Sequence, residues 1–353
     1  MNSLVSFYRK SFGQALAIAS LMCLMSVPFL MNVRVGPQGG FIIESTSAIL
    51  ALCMVLGVTL MGKFTAKPPL VSVMFAVFAT IISLQARLMD ISWVSQVDLT
   101  ASVLLLAALS TWALASWQAQ NEIPLMRWIA LGLLIGVLLQ TAVMWTQYFG
   151  LSKHFHGIIS YSSSKNIMGQ LGQRNHLGHY LMWGMVAVLY LSHTKALSRW
   201  LSMAAVFWLG LSMGLIGSRT LIVYLMAISL LAIIWRFWAG RAYQANLYWI
   251  LLTLLWVLLV QFGLEKVLYA FNQSTTTTGL ERLVNAADVV DTARSVEWQK
   301  AWLSFLNSPW LGHGWGSSSS QSVILHGALP DFEGLRTVGV LFTHSHNSLL
   351  QLL

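Results

Sequence analysis

His344 and His346 stand two apart in the run Thr343-His344-Ser345-His346-Asn347, where a polar stretch gives way to an apolar one. On an extended segment residues two apart share a face, whereas on a helix they diverge. A neutral imidazole titrates near working pH, so either histidine could act as a general base. Two blander readings stay open: a hydrogen-bonded helix start with Asn347 near the cap, or half of a metal site. No carboxylate or cysteine lies close in sequence to complete a zinc set, so no metal is expected.

Two arginines could hold an anion. Arg219 sits in Gly217-Ser218-Arg219-Thr220, between two apolar runs with almost no loop. An arginine near membrane depth costs about 2.5–3.5 kcal/mol on insertion scales, so it calls for an anionic partner or a snorkelling route to the interface. Guanidinium forks bind phosphate oxygens bidentately, which makes a phosphate or diphosphate the sharper reading. Arg294 is the second candidate, with pairing to Glu297 or Asp291 on the same helix as its structural alternative. A third constellation runs from Gly169 to Tyr180, where Gln173, Arg174, Asn175 and His176 lead straight into an apolar run. Such a segment either lines a polar cavity or simply starts an interfacial helix. There is no Walker loop, no HExxH and no Asp-x-Asp, so neither a nucleotide nor any other cofactor is expected. Two cations and one neutral base, with few carboxylates between them, suit a lipid-linked anion. From the residues alone, a metal-independent enzyme and a transporter for such a substrate both remain.

The elements that must position these groups are membrane helices. Of 353 residues 57% are hydrophobic and only 9% charged, and the mean hydropathy is +0.69. So little polar matter cannot cover a soluble domain of this length. Continuous apolar runs near twenty residues recur, which predicts an all-α polytopic membrane protein rather than a β-barrel. Spans are expected at 12–31, 45–62, 69–88, 98–117, 127–148, 176–193, 199–216, 219–236 and 246–263, with a tenth beginning near 346. The formal charge of +9 comes from basic residues scattered singly through short loops, not from a nucleic-acid patch. Arg9, Lys10, Lys63, Lys67, Arg127, Lys195, Arg199, Arg236 and Arg241 all fall on one side if the N-terminus is cytoplasmic, while the acids except Glu122 fall on the other or at its interface.

This topology divides the chain into a bundle of about nine spans over 1–263, an outer segment over 264–345, and the start of a further span over 346–353. The outer segment opens on Ser274-Thr275-Thr276-Thr277-Thr278-Gly279, read as a loop. Leu280, Leu283, Val284, Ala287 and Val290 then recur at helical spacing opposite Glu281, Asp288 and Asp291, which predicts an amphipathic helix. From Arg294 the stripe Trp298, Trp302 and Phe305 predicts another helix, stopped by Asn307-Ser308-Pro309 and followed by a tight turn at Gly312-His313-Gly314-Trp315-Gly316. Cys23 and Cys53 lie inside apolar runs, so no disulfide framework is expected. Pro28 and Arg34 follow the first run in place of a small-residue cleavage motif, so it is expected to stay as a span.

Several of these motifs carry a resemblance. Gln173-Arg174-Asn175-His176-Leu177-Gly178 before a span, Ser218-Arg219-Thr220 at a span junction, Ala293-Arg294-x-x-x-Trp298 with Pro309 and Gly312-x-Gly314, and His344-Ser345-His346-Asn347 together resemble the O-antigen ligase/polymerase superfamily. Pro28-Phe29-Leu30, Phe41-x-x-Glu44 and the Arg294–Trp302 form are most similar to its branch of bacterial protein O-oligosaccharyltransferases that glycosylate pilins. The resemblance implies a bacterial inner-membrane enzyme with its site on the periplasmic side. It would move a preassembled glycan from undecaprenyl diphosphate to a hydroxyl of a pilin-like protein. Ligation to lipid A-core and polymerisation of glycan units are the alternatives within the superfamily. It implies that His346 activates the acceptor and that Arg219 and Arg294 hold the departing diphosphate. His344, Asn347, Gln173, Arg174, Asn175 and His176 would line the substrate. Relatives continue through further spans after His-x-His-Asn, so ending at Leu353 is read as truncation.

Overall fold

The computed structural model describes residues 2–32, 37–62, 64–65, 67–89, 91, 93–119, 124–160, 167–216, 218–239, 244–270 and 292–326. Among them there are eleven α-helices and no strand. They are α1 (Asn2–Leu30), α2 (Pro37–Leu60), α3 (Leu70–Leu88), α4 (Val94–Ala119), α5 (Leu125–Tyr148), α6 (Arg174–His193), α7 (Arg199–Leu215), α8 (Arg219–Ala239), α9 (Gln244–Ala270), α10 (Thr292–Asn307) and α11 (Ser318–His326). The first nine coincide with the nine expected spans. Six of them (in α1 to α5 and α8) are long and apolar enough to cross a membrane by length and composition. The apolar stretches of α7 and α9 are shorter, and α6 opens on polar residues. The chain is a polytopic membrane protein.

The largest departures from the expected ends are extensions. Helix α1 starts ten residues before its expected span, α2 starts eight before, and α9 runs seven beyond. An apolar run marks where the hydrocarbon lies, but the backbone ladder can continue into water at little cost once nucleated. Pro37 occupies the first position of α2, where its missing N–H costs nothing.

The helices form two compact units, Met1–Phe64 with Ser116–Asn285 and Thr65–Ala115 with Ala286–Leu353. In the first, helices meet through small residues, the usual way to bring backbones close in a membrane. A Cβ on Gly13 of α1 would lie 2.7 Å from the Gly57 carbonyl oxygen of α2, and one on Gly132 of α5 would lie 2.8 Å from Met22 Cα of α1. Gly210 and Gly214 of α7 lie against Trp256 and Val260 of α9, so these two helices run parallel and in step. Leu177, Leu181, Val188 and Leu191 of α6, Leu209 and Met213 of α7, Leu221 of α8 and Val257 of α9 fill the interior without exposed surface. In the second unit, Ile82 and Ala86 of α3 pack with Val97 and Ala101 of α4. Outward-facing residues such as Leu70, Met74, Phe237 and Trp238 are largely exposed, as a lipid-facing surface requires.

Candidate functional site

The segment before α6 is organised by glutamines. Gln140 of α5 is fully buried; its Nε2 donates to the Phe29 carbonyl at 2.6 Å and its Oε1 accepts from the Gln170 amide at 3.1 Å. Two turns on, Gln147 Nε2 donates to the carbonyls of Ser160 and Gly169, both at 2.9 Å, while its Oε1 accepts from the Gly169 amide at 2.8 Å. Gln170, itself buried, accepts from the Ser160 amide at 2.9 Å and donates to the Ile158 carbonyl. These bonds satisfy backbone that no helix serves. Gly169 has φ +58°, and a Cβ there would lie 2.6 Å from Gln140 Oε1, so conformation and space both demand glycine.

The pinned segment delivers Gln173 as the extended residue before α6, and Arg174, Asn175 and His176 as its first turn. Gln173, Asn175 and His176 are exposed, and Arg174 is half-buried. His179, one turn on, is half-buried with its ring 4.8 Å from that of Tyr224 and its Nε2 unpaired. Tyr180 fixes the helix from the other side. Its hydroxyl donates to the Met25 carbonyl at 2.7 Å, and its ring stacks on Phe29 at 4.4 Å.

Arg219 is the first residue of α8. Ser218 before it is buried, and its Oγ accepts from the Leu221 amide at 3.3 Å, an N-cap in the ordinary sense. The same hydroxyl donates to Asn175 Oδ1 at 2.8 Å. One serine therefore ties the start of α8 to the start of α6, and the structure brings Arg219 and the Gln173–His176 turn to one place. The Arg219 side chain lies outside the described set.

Arg294 belongs to the second unit, as the third residue of α10, and its side chain also lies outside the described set. The predicted stripe is present: Trp298 and Trp302 are part-exposed, and Trp302 packs on Phe305 at 5.2 Å. The helix ends at Asn307 as expected. Gly312, Gly314 and Gly316 all take positive φ, which makes the expected turn. It lies against α3, where Gln85 Nε2 donates to the Leu311 carbonyl at 3.0 Å and Gln85 Oε1 accepts from the Trp315 amide at 3.2 Å.

The sequence reading missed a buried polar triad here. Glu297 accepts from Lys300 Nζ at 2.7 Å and from Ser322 Oγ at 3.0 Å, and Lys300 Nζ also lies 3.2 Å from Ser322 Oγ. All three are buried. The signal was available, since Glu297 and Lys300 are one turn apart on a face opposite the aromatic stripe. His344, His346 and Asn347 lie outside the described residues, as do the Ser274–Gly279 loop and the expected amphipathic helix from Leu280 to Val290.

Comparison with known families gives two matches. Residues 204–353 match the O-antigen ligase family, and residues 167–191 match the protein glycosylation ligase family. The first range contains Arg219, Arg294 and the histidine pair; the second contains Gln173 to His176. No curated protein and no solved structure matches the chain.

Proposed function

We propose that this chain, which belongs to the O-antigen ligase superfamily, moves a preassembled glycan en bloc from undecaprenyl diphosphate to a Ser/Thr hydroxyl of a periplasmic, pilin-like protein. Both matched families support an enzyme that transfers glycan. In the finer reading, His346 takes the proton of the acceptor hydroxyl as its oxygen attacks the anomeric carbon. The bond from that carbon to the diphosphate breaks, and undecaprenyl diphosphate leaves against Arg219 and Arg294. Stabilising charge that develops on a leaving group is a large part of such catalysis. No metal is assigned a part. The basic loops would lie in the cytoplasm and the site would face the periplasm of the inner membrane, with 1–263 as the bundle and 264–345 as the periplasmic segment.

The observation that carries this reading is the Ser218–Asn175 hydrogen bond of 2.8 Å. It joins the two stretches that match ligase families separately, so both contribute to one end of one unit. A second reading, ligation to lipid A-core or polymerisation of glycan units, is favoured by the longer match to the O-antigen ligase family. A transporter for a lipid-linked anion would need the arginines but not a base.

The test is transfer in proteoliposomes with EDTA, supplying undecaprenyl-diphosphate glycan and either a pilin or lipid A-core. Glycosylated pilin that disappears in His346→Ala supports the proposal. Product on lipid A-core alone selects the second reading. Donor translocation without product, unaffected by His346→Ala, selects transport.

A further inference from the structure

Helix α10 carries its polarity the wrong way round for a helix in water. Glu297 and Lys300 are buried, bonded to each other and to Ser322 of α11. Trp298, Trp302 and Leu306, spaced four apart and so on one face, are 42–54% exposed. The turn that follows adds Trp310, 94% exposed, and Leu311, 74% exposed. A helix in water would bury the aromatic stripe and show the charges. An apolar patch of this kind marks a surface that something covers.

The second unit itself gives the depth of that patch. Helix α3 is long and apolar enough to cross a membrane. Gln85, one turn before its end, bonds the Leu311 carbonyl and the Trp315 amide. The Trp315 ring meets Phe78, two turns further in, edge-on at 5.4 Å. At this end too the Arg87 guanidinium pairs with Asp98 near the start of α4, both about half-exposed. The turn therefore straddles the level where α3 passes from apolar to polar surroundings. It is closed onto α10 as well: the Gly312 amide donates to the Ser308 carbonyl at 3.0 Å, and His313 Nε2 lies 3.0 Å from the Ser304 carbonyl. The last turn of α10 and Trp310-Leu311 are thus held at that level.

We propose that α10 and its turn are a membrane-interface anchor, with Trp298, Trp302, Leu306, Trp310 and Leu311 seated among the lipid headgroups and first acyl carbons of the leaflet at the Arg87 end of α3. Lipid is the occupant because the patch is level with the end of a membrane span. Three of the five are tryptophans, whose rings are apolar and whose N–H can bond water or headgroups, the combination that suits this depth. The only charged residues between 297 and 311 are Glu297 and Lys300, paired on the buried side, so the face carries no ion that insertion would have to desolvate. The anchor goes beyond the glycan-transfer reading and does not depend on it.

The test uses the whole chain with Cys23→Ala and Cys53→Ala, carrying one nitroxide at a time through Trp298→Cys, Trp302→Cys, Leu306→Cys or Trp310→Cys. Each is reconstituted in vesicles of phosphatidylethanolamine and phosphatidylglycerol. Collisions with oxygen, which concentrates in lipid, are compared with those of a water-soluble nickel chelate. Oxygen collisions are expected to dominate at all four positions. Adding Trp298→Gln/Trp302→Gln should shift the Leu306→Cys label toward nickel, while the melting temperature in detergent holds because the indoles touch little protein. Nickel dominance at Trp298→Cys or Trp302→Cys overturns the proposal, since the face then stands in water. Few collisions with either reagent overturn it too, because protein, from this chain or a second copy, then covers the face. So does an unmoved Leu306→Cys label in the glutamine variant, or a sharp fall in its melting temperature.

Discussion

Ser218→Ala tests the junction on which the candidate site depends. The serine is 1% exposed, and its hydroxyl makes two bonds: one caps α8 immediately before Arg219, the other reaches Asn175 at the head of α6. Losing an N-cap costs about 1 kcal/mol, and the 3.3 Å cap distance places this one at the lower end. Losing the 2.8 Å bond to Asn175 adds about 0.5–1.5 kcal/mol. Together the variant should be destabilised by roughly 1–2.5 kcal/mol, which lowers the melting temperature of a 353-residue chain by about 1–3 °C at an unfolding entropy of about 2.1 cal/mol/K per residue. Activity should fall further than stability, because the lost bonds fix the backbone from which Arg219 projects. A tenfold drop in kcat/KM, about 1.4 kcal/mol, is the expected scale. Asn175→Ala removes one bond and spares the cap, so its loss should be smaller. The double variant should match Ser218→Ala, since the two positions share that bond. The assay is thermal unfolding in detergent beside glycan transfer on each variant. Unchanged kinetics in Ser218→Ala, or strict additivity in the double variant, would refute the reasoning.

Two other perturbations read the packing. Gly136→Ala should destabilise strongly, since a Cβ there lies 2.9 Å from Ser26 Cα and collides with the Tyr180 hydroxyl. Gly178→Ala meets nothing nearer than Leu221 Cβ at 3.5 Å and should be neutral or gain up to about 1 kcal/mol in helix propensity; expression and melting temperature separate the two. In the second unit, Glu297→Gln should cost about 3–5 kcal/mol by leaving the Lys300 ammonium buried without its counter-ion. Glu297→Leu/Lys300→Met should recover most of that, as read by limited proteolysis between α10 and α11.

Composition and periodicity were enough to place nine helices, because each apolar run is longer than any soluble strand or core segment. The helix stop at Asn307-Ser308-Pro309 and the turn through Gly312, Gly314 and Gly316 were equally legible, since proline and glycine act locally. What the sequence concealed depends on distant partners. Gln140 and Gln147 sit inside an apolar run and were absorbed into a span, yet they hold a segment some twenty to thirty residues later in the chain. Glu297 was offered to Arg294, three residues earlier; its partners are Lys300, one turn later, and Ser322, on another helix. Ser218 was read as a neighbour of Arg219, and only the fold shows it bonded to Asn175. Hydrophobic pattern reports which face is buried, but not which polar group waits there to meet another.

The glutamine clamp also bears on inheritance. Ser160, Gly169 and Gln170, in the stretch between α5 and α6, are held by two amides on α5. Loop and helix are thus a single heritable cassette. A relative that exchanged this connection by recombination would have to bring its own α5 residues with it. A chimera joined between Tyr148 and Gly169 would inherit hydrogen-bonding groups from one parent and the backbone they serve from the other.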